Sequence, residues 1–167
     1  MTGIRNSGRQ RQVAVIGAGG CEEGSEVWRL AEEVGRRLAE AGVSIVCGGG
    51  GGVMEAASRA AAEAGGTVIG IVPGEAVQDA NPYCSHVVAT GIGHARNLAV
   101  VSSGEAVIAI GGEWGTLSEI GFARTIGRPV VTLRSWELNG RERMQGAPGI
   151  ARADSPEDAV AAALAAL

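Results

Sequence analysis

The chain of 167 residues has the usual size of one domain and is long enough to bury a core, so no second domain is expected. Hydrophobic residues make up 46% and aromatics 3%, which leaves Val, Ile, Leu and Ala to fill the interior, as in buried parallel strands and close-packed helices. A net charge of -4 argues against a nucleic-acid or anionic-membrane surface, and all 14 basic residues are arginine, which removes Schiff-base pyridoxal phosphate chemistry and the Walker A loop.

The start, residues 1–12, is polar, lacks the apolar stretch of a signal peptide and reads as a disordered tail; no segment is long and apolar enough to span a bilayer, so a cytoplasmic location is expected. The domain proper then runs over 13–167. Residues 13–16 form a strand that breaks at Gly17, Gly19 and Gly20, and Val27, Leu30, Ala31, Val34 and Leu38 recur at helical spacing until Gly42. A strand over 43–47 meets five glycines, Gly48, Gly49, Gly50, Gly51 and Gly52, and a helix over 53–64 follows. Residues 67–72 are a third strand stopped by Pro73-Gly74, and 75–85 a loop. A short strand over 86–89 and a short helix over 95–102 precede the apolar strand 106–110. The segment Gly111-Gly112-Glu113-Trp114-Gly115-Thr116 then opens a helix over 116–126, and 129–133 is a further strand. Residues 139–149 read as irregular. Ser155-Pro156-Glu157-Asp158 starts a terminal helix, with a capping serine, proline at the first helical position and acids at the positive end.

Strands and helices alternate, and the strands lack a polar face. This is the pattern of an α/β fold: a doubly wound parallel sheet with helices on both faces. Ligands of such sheets bind beyond the carboxyl ends of the strands, where the strand order reverses. The turns at Gly17, Gly48 and Gly111 all fall on that edge. Glycine lets backbone approach a ligand closely, and the unpaired N–H groups at a helix start favour phosphate, so the turns at 48–52 and 111–115 suggest a nucleotide-like guest.

An ordinary dinucleotide fingerprint is poorly matched, because Glu22 follows Gly17-x-Gly19 at the third position and Val53 holds that place after the pentaglycine. Cys21, Cys47 and Cys84 form no C-x-x-C pair, so neither a disulfide framework nor a metal site is indicated. They read as small buried thiols, with a redox or ligand-sensing role left open for Cys21 and Cys47 beside the pocket.

The segment Gly111-Gly112-x-Trp114-Gly115-Thr116-Leu117-x-Glu119 resembles the P-G-G-x-G-T-x-x-E signature of the LOG family, often mislabelled "lysine decarboxylase". Arg96, in Gly93-His94-Ala95-Arg96-Asn97, is placed as that family's arginine is, and 48–52 with Val53-Met54 is similar to its second glycine-rich motif. The resemblance spans roughly 13–133. It implies a Rossmann-like fold, a homodimer and binding of a nucleoside 5'-monophosphate or related phosphate. In the family's enzymes the arginine and glutamate assist cleavage between base and ribose 5-phosphate, which would make Arg96 and Glu119 catalytic. Ile110 stands for the signature proline, and Asn97 for the lysine of the cytokinin-activating members. With Gly-Val-Met-Glu after the glycines, the chain looks more like the molybdenum cofactor carrier branch, which implies binding of a pterin phosphate without required turnover.

Two roles stand open for Glu119. With Thr116 it can form a capping box, each side chain bonded to the other's amide, or it can face the cleft as general acid/base or ribose ligand. Arg96 suits a bidentate phosphate contact, against a surface ion pair. Asn97 can hold a loop carbonyl or a ligand hydroxyl. His94 can donate to phosphate or stand in solvent, and Glu55 reads as a surface acid complementing a helix dipole. Trp114 can stack on a heterocycle or pack on a partner subunit. The expected ligand contacts are thus Gly17, Gly49, Gly50, Gly51, Gly52, Met54, Arg96, Asn97, Gly111, Gly112, Trp114, Gly115 and Thr116. No cofactor is required, and the guest is a nucleotide monophosphate or molybdopterin. The partners are that small phosphorylated ligand and a second copy of the chain, with no nucleic acid and no membrane. Carrier and phosphoribohydrolase are the two functions left open.

Overall fold

In the computed structural model, which describes residues 8–138 and 149–167, uninterrupted apolar runs become central strands buried on both faces. The strands are β1 (Gln12–Gly17), β2 (Ser44–Cys47), β3 (Val68–Val72), β4 (His86–Ala89), β5 (Ala106–Ile110), β6 (Val130–Leu133) and β7 (Ile150–Ala153). They form one sheet in the order β4-β3-β2-β1-β5-β6-β7, and every pairing is parallel. Five helices, α1 (Glu26–Glu40), α2 (Val53–Glu63), α3 (Arg96–Ser103), α4 (Trp114–Thr125) and α5 (Pro156–Ala165), complete an α/β, Rossmann-like domain.

Because strand side chains alternate, the sheet feeds two cores. Val13, Val15, Ile45, Ile108 and Ile110 pack with Trp28, Val34 and Leu38 of α1, Ala57 of α2 and Val160 of α5. Ala14, Ile16, Val46, Val107 and Ala109 pack on the other side with Val100 and Val101 of α3 and Ile120 and Ala123 of α4. The Ser25 hydroxyl accepts from the Trp28 N–H at 3.2 Å at the start of α1. Ser155 caps α5 as expected, accepting from the Asp158 N–H at 3.1 Å beside Pro156. Among the described residues no helix is long and apolar enough to cross a membrane.

From β1 the chain winds outward to β4, then returns to lay β5 against the other edge of β1. The helix that follows β1 lies on one face and the helix that follows β5 on the other, so the two connections diverge and leave a crevice at the strand ends.

Three expectations change. The polar start is not a tail as far as residue 12: Gln12 opens β1, the Arg11 carbonyl accepts from the Ser44 N–H at 2.9 Å, and Gln10 reaches the Gly42 carbonyl at 2.9 Å. Residues 1–7 lie outside the described residues, as do 139–148 of the stretch read as irregular. β7 is an additional strand; Ile150-Ala151-Arg152-Ala153 pairs only with β6, and its polar, half-exposed edge position erases the apolar signal. Finally, α4 begins at Trp114 rather than Thr116, which changes the reading of the site.

Candidate functional site

A cavity of about 270 Å³ opens at the carboxyl ends of β1 and β5. Its base is narrow because backbone meets backbone there: a Cβ at Gly17 would stand 2.1 Å from the Ile110 carbonyl oxygen, so only glycine fits. The Ala18 N–H donates to that same oxygen at 3.3 Å. Beyond β5, Gly111 and Gly112 turn the chain through positive φ of 56° and 121°. The Gly111 N–H donates to the Leu133 carbonyl at 3.1 Å, and the Ser135 hydroxyl donates to the Gly111 carbonyl. The Trp136 Nε1–H donates to the Glu113 carbonyl at 3.2 Å, and its ring lies 5.2 Å from that of Trp114. These bonds anchor the start of α4 from β6 and the segment after it.

Glu113 is therefore the extended residue before the helix, and its side chain makes no capping bond. Of the two roles open for Glu119, the capping box is absent: Thr116 sits buried inside the first turn, too late to cap it, and Glu119 is buried one turn further on. Among the described residues the amides of Gly112, Glu113, Trp114, Gly115 and Thr116 have no hydrogen-bond partner. Glu113, Gly115 and Thr116 line the cavity, which puts the positive end of α4 at its wall.

The charged groups face this wall. A short 3-10 turn, Gly93–Ala95, delivers Arg96 at the first position of α3, with His94 and Asn97 beside it. The guanidinium lies where a side chain on Gly48 would otherwise be: a Cβ there would come within 2.0 Å of Nη1 of Arg96 and 2.8 Å of Sδ of Met54. The Nε of Arg96 is buried without a partner, and among the described residues Arg96 makes no ion pair. Burial pulls its pKa down, against the pull of the Glu119 and Cys47 charges. Glu119 is 8% exposed, and burial lifts its carboxyl to a pKa of about 7; Arg96 opposes that rise and Cys47 adds to it.

Of the residues singled out from the sequence, Gly17, Met54, Arg96, Asn97, Gly115, Thr116 and Glu119 come together around this cavity. Gly49, Gly50, Gly51 and Gly52 are not part of its wall. The Gly49 N–H is engaged by Sγ of Cys47 at 3.4 Å, and the carbonyls of Gly49 and Gly50 accept from the N–H and Nδ2 of Asn81 at 2.7 and 3.0 Å. Only Gly48 of that run reaches the wall. Gly111 and Gly112 shape the turn without lining the cavity, and Trp114, 77% exposed, stacks on Trp136 instead of projecting into it. The wall also includes Ile16, Gly19 and Glu113, which the sequence placed in a strand, at its break and in the turn before a helix without a role in the site. Among the described residues no group of three or more His, Cys, Asp or Glu could hold a metal ion.

Residues 10–160 match the SLOG cluster4 family. The chain belongs to this family. The SLOG cluster4 chain is 31% identical to the molybdenum cofactor binding protein of the phototrophic bacterium Rippkaea orientalis, with a TM-score of 0.80 over 93% of this chain and 96% of that one. It is 27% identical to the molybdenum cofactor carrier protein of Chlamydomonas reinhardtii, with a TM-score of 0.80 over 94% and 98% of the two chains. In sequence it is 36% identical over 93 residues to a probable cytokinin riboside 5'-monophosphate phosphoribohydrolase, LOGL5, of Oryza sativa subsp. japonica. That match covers 54% of this chain and 38% of the rice protein. The expected place in the LOG family, close to the molybdenum cofactor carriers, holds.

Proposed function

We propose that this SLOG cluster4 chain binds one phosphorylated heterocycle, a nucleoside monophosphate or a molybdopterin-like pterin phosphate, in the cleft between β1 and β5. The observation that carries this reading is Arg96, a guanidinium with a buried Nε and no anionic partner among the described residues, facing a helix start whose amides are free. A half-buried charge with a buried, unpartnered N–H is costly, and a phosphate would satisfy both sets of donors at once. The cavity volume of about 270 Å³ lies at the low end for ligand sites, which favours a single mononucleotide-sized guest over a dinucleotide. Likeness to molybdenum cofactor binding and carrier proteins supports a pterin among the candidates.

In this reading Arg96 neutralises the phosphate, Gly115 and Thr116 receive its oxygens, Asn97 meets a hydroxyl, and Met54 packs against the heterocycle. The protein would act as a cytoplasmic homodimer. Leu98 of α3 and Phe122 and Ile126 in and just after α4 are exposed on the sheet face that, among the described residues, carries these two helices, which supports self-association there. Titration calorimetry with AMP and with a pterin phosphate tests the reading. Saturable binding of either supports it, and absence of binding by both overturns it.

Glu119 favours a second reading, hydrolysis of the bond between base and ribose 5-phosphate. A carboxyl with a pKa of about 7 keeps its proton long enough at neutral pH to give it to a departing base, and its conjugate can then stabilise or deprotonate at the sugar. Incubation with AMP and substituted adenine monophosphates separates the two. Free base and ribose 5-phosphate, lost in Glu119→Gln, make the protein a phosphoribohydrolase; binding without turnover leaves it a carrier.

A further inference from the structure

In the β2–β3 register Cys47 stands opposite Gly70, so their side-chain positions lie next to each other on one face of the sheet. Gly70 leaves its place empty, and the thiol of Cys84, arriving from the loop before β4, fills it. Sγ of Cys84 lies 2.7 Å from where a Gly70 Cβ would be, with its own Cβ at 3.4 Å. Two thiols distant in sequence are thereby set side by side. Cys47 is sealed from solvent, whereas Cys84 is partly exposed.

We infer that Cys47 and Cys84 are a reversible oxidation site that closes to an intramolecular disulfide under the glycine run. The bonding around the pair suits this chemistry. Sγ of Cys47 accepts the Gly49 N–H at 3.4 Å and lies 3.6 Å from the Ser58 hydroxyl, while the Cys84 thiol donates to Oδ1 of Asn81 at 3.6 Å. The neighbouring Cys84 thiol draws Cys47 down towards the thiolate, helped by Gly49, Ser58 and the Arg96 charge against the effect of burial, and Cys84 is correspondingly held up.

The roles then divide by access. The proton that the two sulfurs share passes to Cys47, the reachable sulfur of Cys84 attacks hydrogen peroxide as thiolate, the O–O bond breaks, and Cys84 sulfenic acid forms with a hydroxide that takes a proton from solvent as one water. The sulfur of Cys47 attacks that of Cys84; the S–O bond breaks, the leaving hydroxide takes the Cys47 proton as a second water, and the disulfide forms. Net, each sulfur loses one electron and the peroxide gains two. A thiol reductant reverses the step by exchange. Because Asn81 already holds the carbonyls of Gly49 and Gly50, the bond would pin the Asn81 loop to the end of β2, next to the place where Gly48 meets Arg96.

The site does not depend on what the cleft binds. The test treats the full native chain with hydrogen peroxide, blocks residual thiols with N-ethylmaleimide and maps non-reduced peptides by mass spectrometry. The expected result is a Cys47–Cys84 linked pair, two hydrogen masses below the free peptides, lost on dithiothreitol treatment, retained in Cys21→Ser and absent in Cys84→Ser. A folded wild-type chain that accumulates Cys84 sulfinic acid without the link, or that links through Cys21, overturns the inference without recourse to any variant.

Discussion

After β2 the chain runs through five glycines, and the protein itself holds the middle of that run: Cys47 engages the Gly49 amide and Asn81 takes the carbonyls of Gly49 and Gly50, while the Ala18 carbonyl receives the Val53 amide at the start of α2. After β5 it runs through two glycines, and among the described residues the amides that follow have no partner along the first turn of α4. The longer glycine run is thus a structural turn that contributes one residue, Gly48, to the cavity, and the shorter one presents a helix end to it. Glycine content marks where backbone can approach a guest; which stretch of that backbone faces the cleft decides where it does.

The open side should be the costly side. Above the usual carboxylate pKa of 4.5 the unfolded chain ionises at Glu119 while the folded chain, with its pKa raised to about 7, resists. The native state therefore binds the extra proton between these values, and stability falls as pH rises through this window, by on the order of 3 kcal/mol once both states are ionised. Glu119→Gln removes that loss, less what Arg96 forfeits in favourable field. Urea denaturation is expected to show a variant little different from wild type at pH 4.5 and clearly more stable at pH 8. A difference independent of pH would mean that Glu119 is not held protonated by burial.

Arg96→Gln tests the charge on the same side. Charge-assisted hydrogen bonds contribute about 1.5–3 kcal/mol, so affinity for AMP should drop by about 10- to 100-fold. Stability should hold or rise, since a buried unpartnered Nε is removed. Unchanged affinity in calorimetry would move the phosphate away from this wall.

Gly48→Ala and Gly51→Ala set the cavity side of the long run against its far side. At Gly48 the new Cβ takes the position of Nη1 of Arg96, the free end of a flexible side chain, so the guanidinium swings away at little cost in stability while affinity falls about 10-fold. At Gly51 the Cβ meets the Gly19 carbonyl oxygen at 3.5 Å and Oε2 of Glu55 at 3.7 Å, ordinary contacts, and affinity should stay within about 2-fold of wild type. Equal losses at both positions would return the whole run to the ligand.

These contrasts also explain what could be read from the sequence. Ala106-Val107-Ile108-Ala109-Ile110 announces a central strand because every residue is buried, and Ser155-Pro156 announces a helix start because capping is local. The pairing of Arg96 and Glu119 at one cleft follows from the motif carrying each. Hidden features depend on partners remote in the chain. α4 starts at Trp114 because Trp136 packs on that ring and bonds the residue before it, and Gly49 and Gly50 are held by Asn81 away from the ligand wall. β7 depends on a single neighbour, β6, and carries Arg152 in its middle. Residue types disclose neither that Arg96 has no anionic partner among the described residues nor Thr116's place within the helix.

The mildest test falls on the closed run. Asn81→Ala deletes the Nδ2 bond to the Gly50 carbonyl and the Oδ1 that accepts the Tyr83 N–H at 3.2 Å, while the backbone bond from residue 81 to the Gly49 carbonyl survives. Losing these side-chain bonds at a half-buried turn should lower unfolding free energy by about 1 kcal/mol. Because 49–52 lies off the cavity wall, affinity for AMP should move by less than about 2-fold. Thermal melts and calorimetry on the same preparation check both. Should affinity fall much further than stability does, the closed run would be acting on the ligand, and the division between a structural turn and a binding turn would fail.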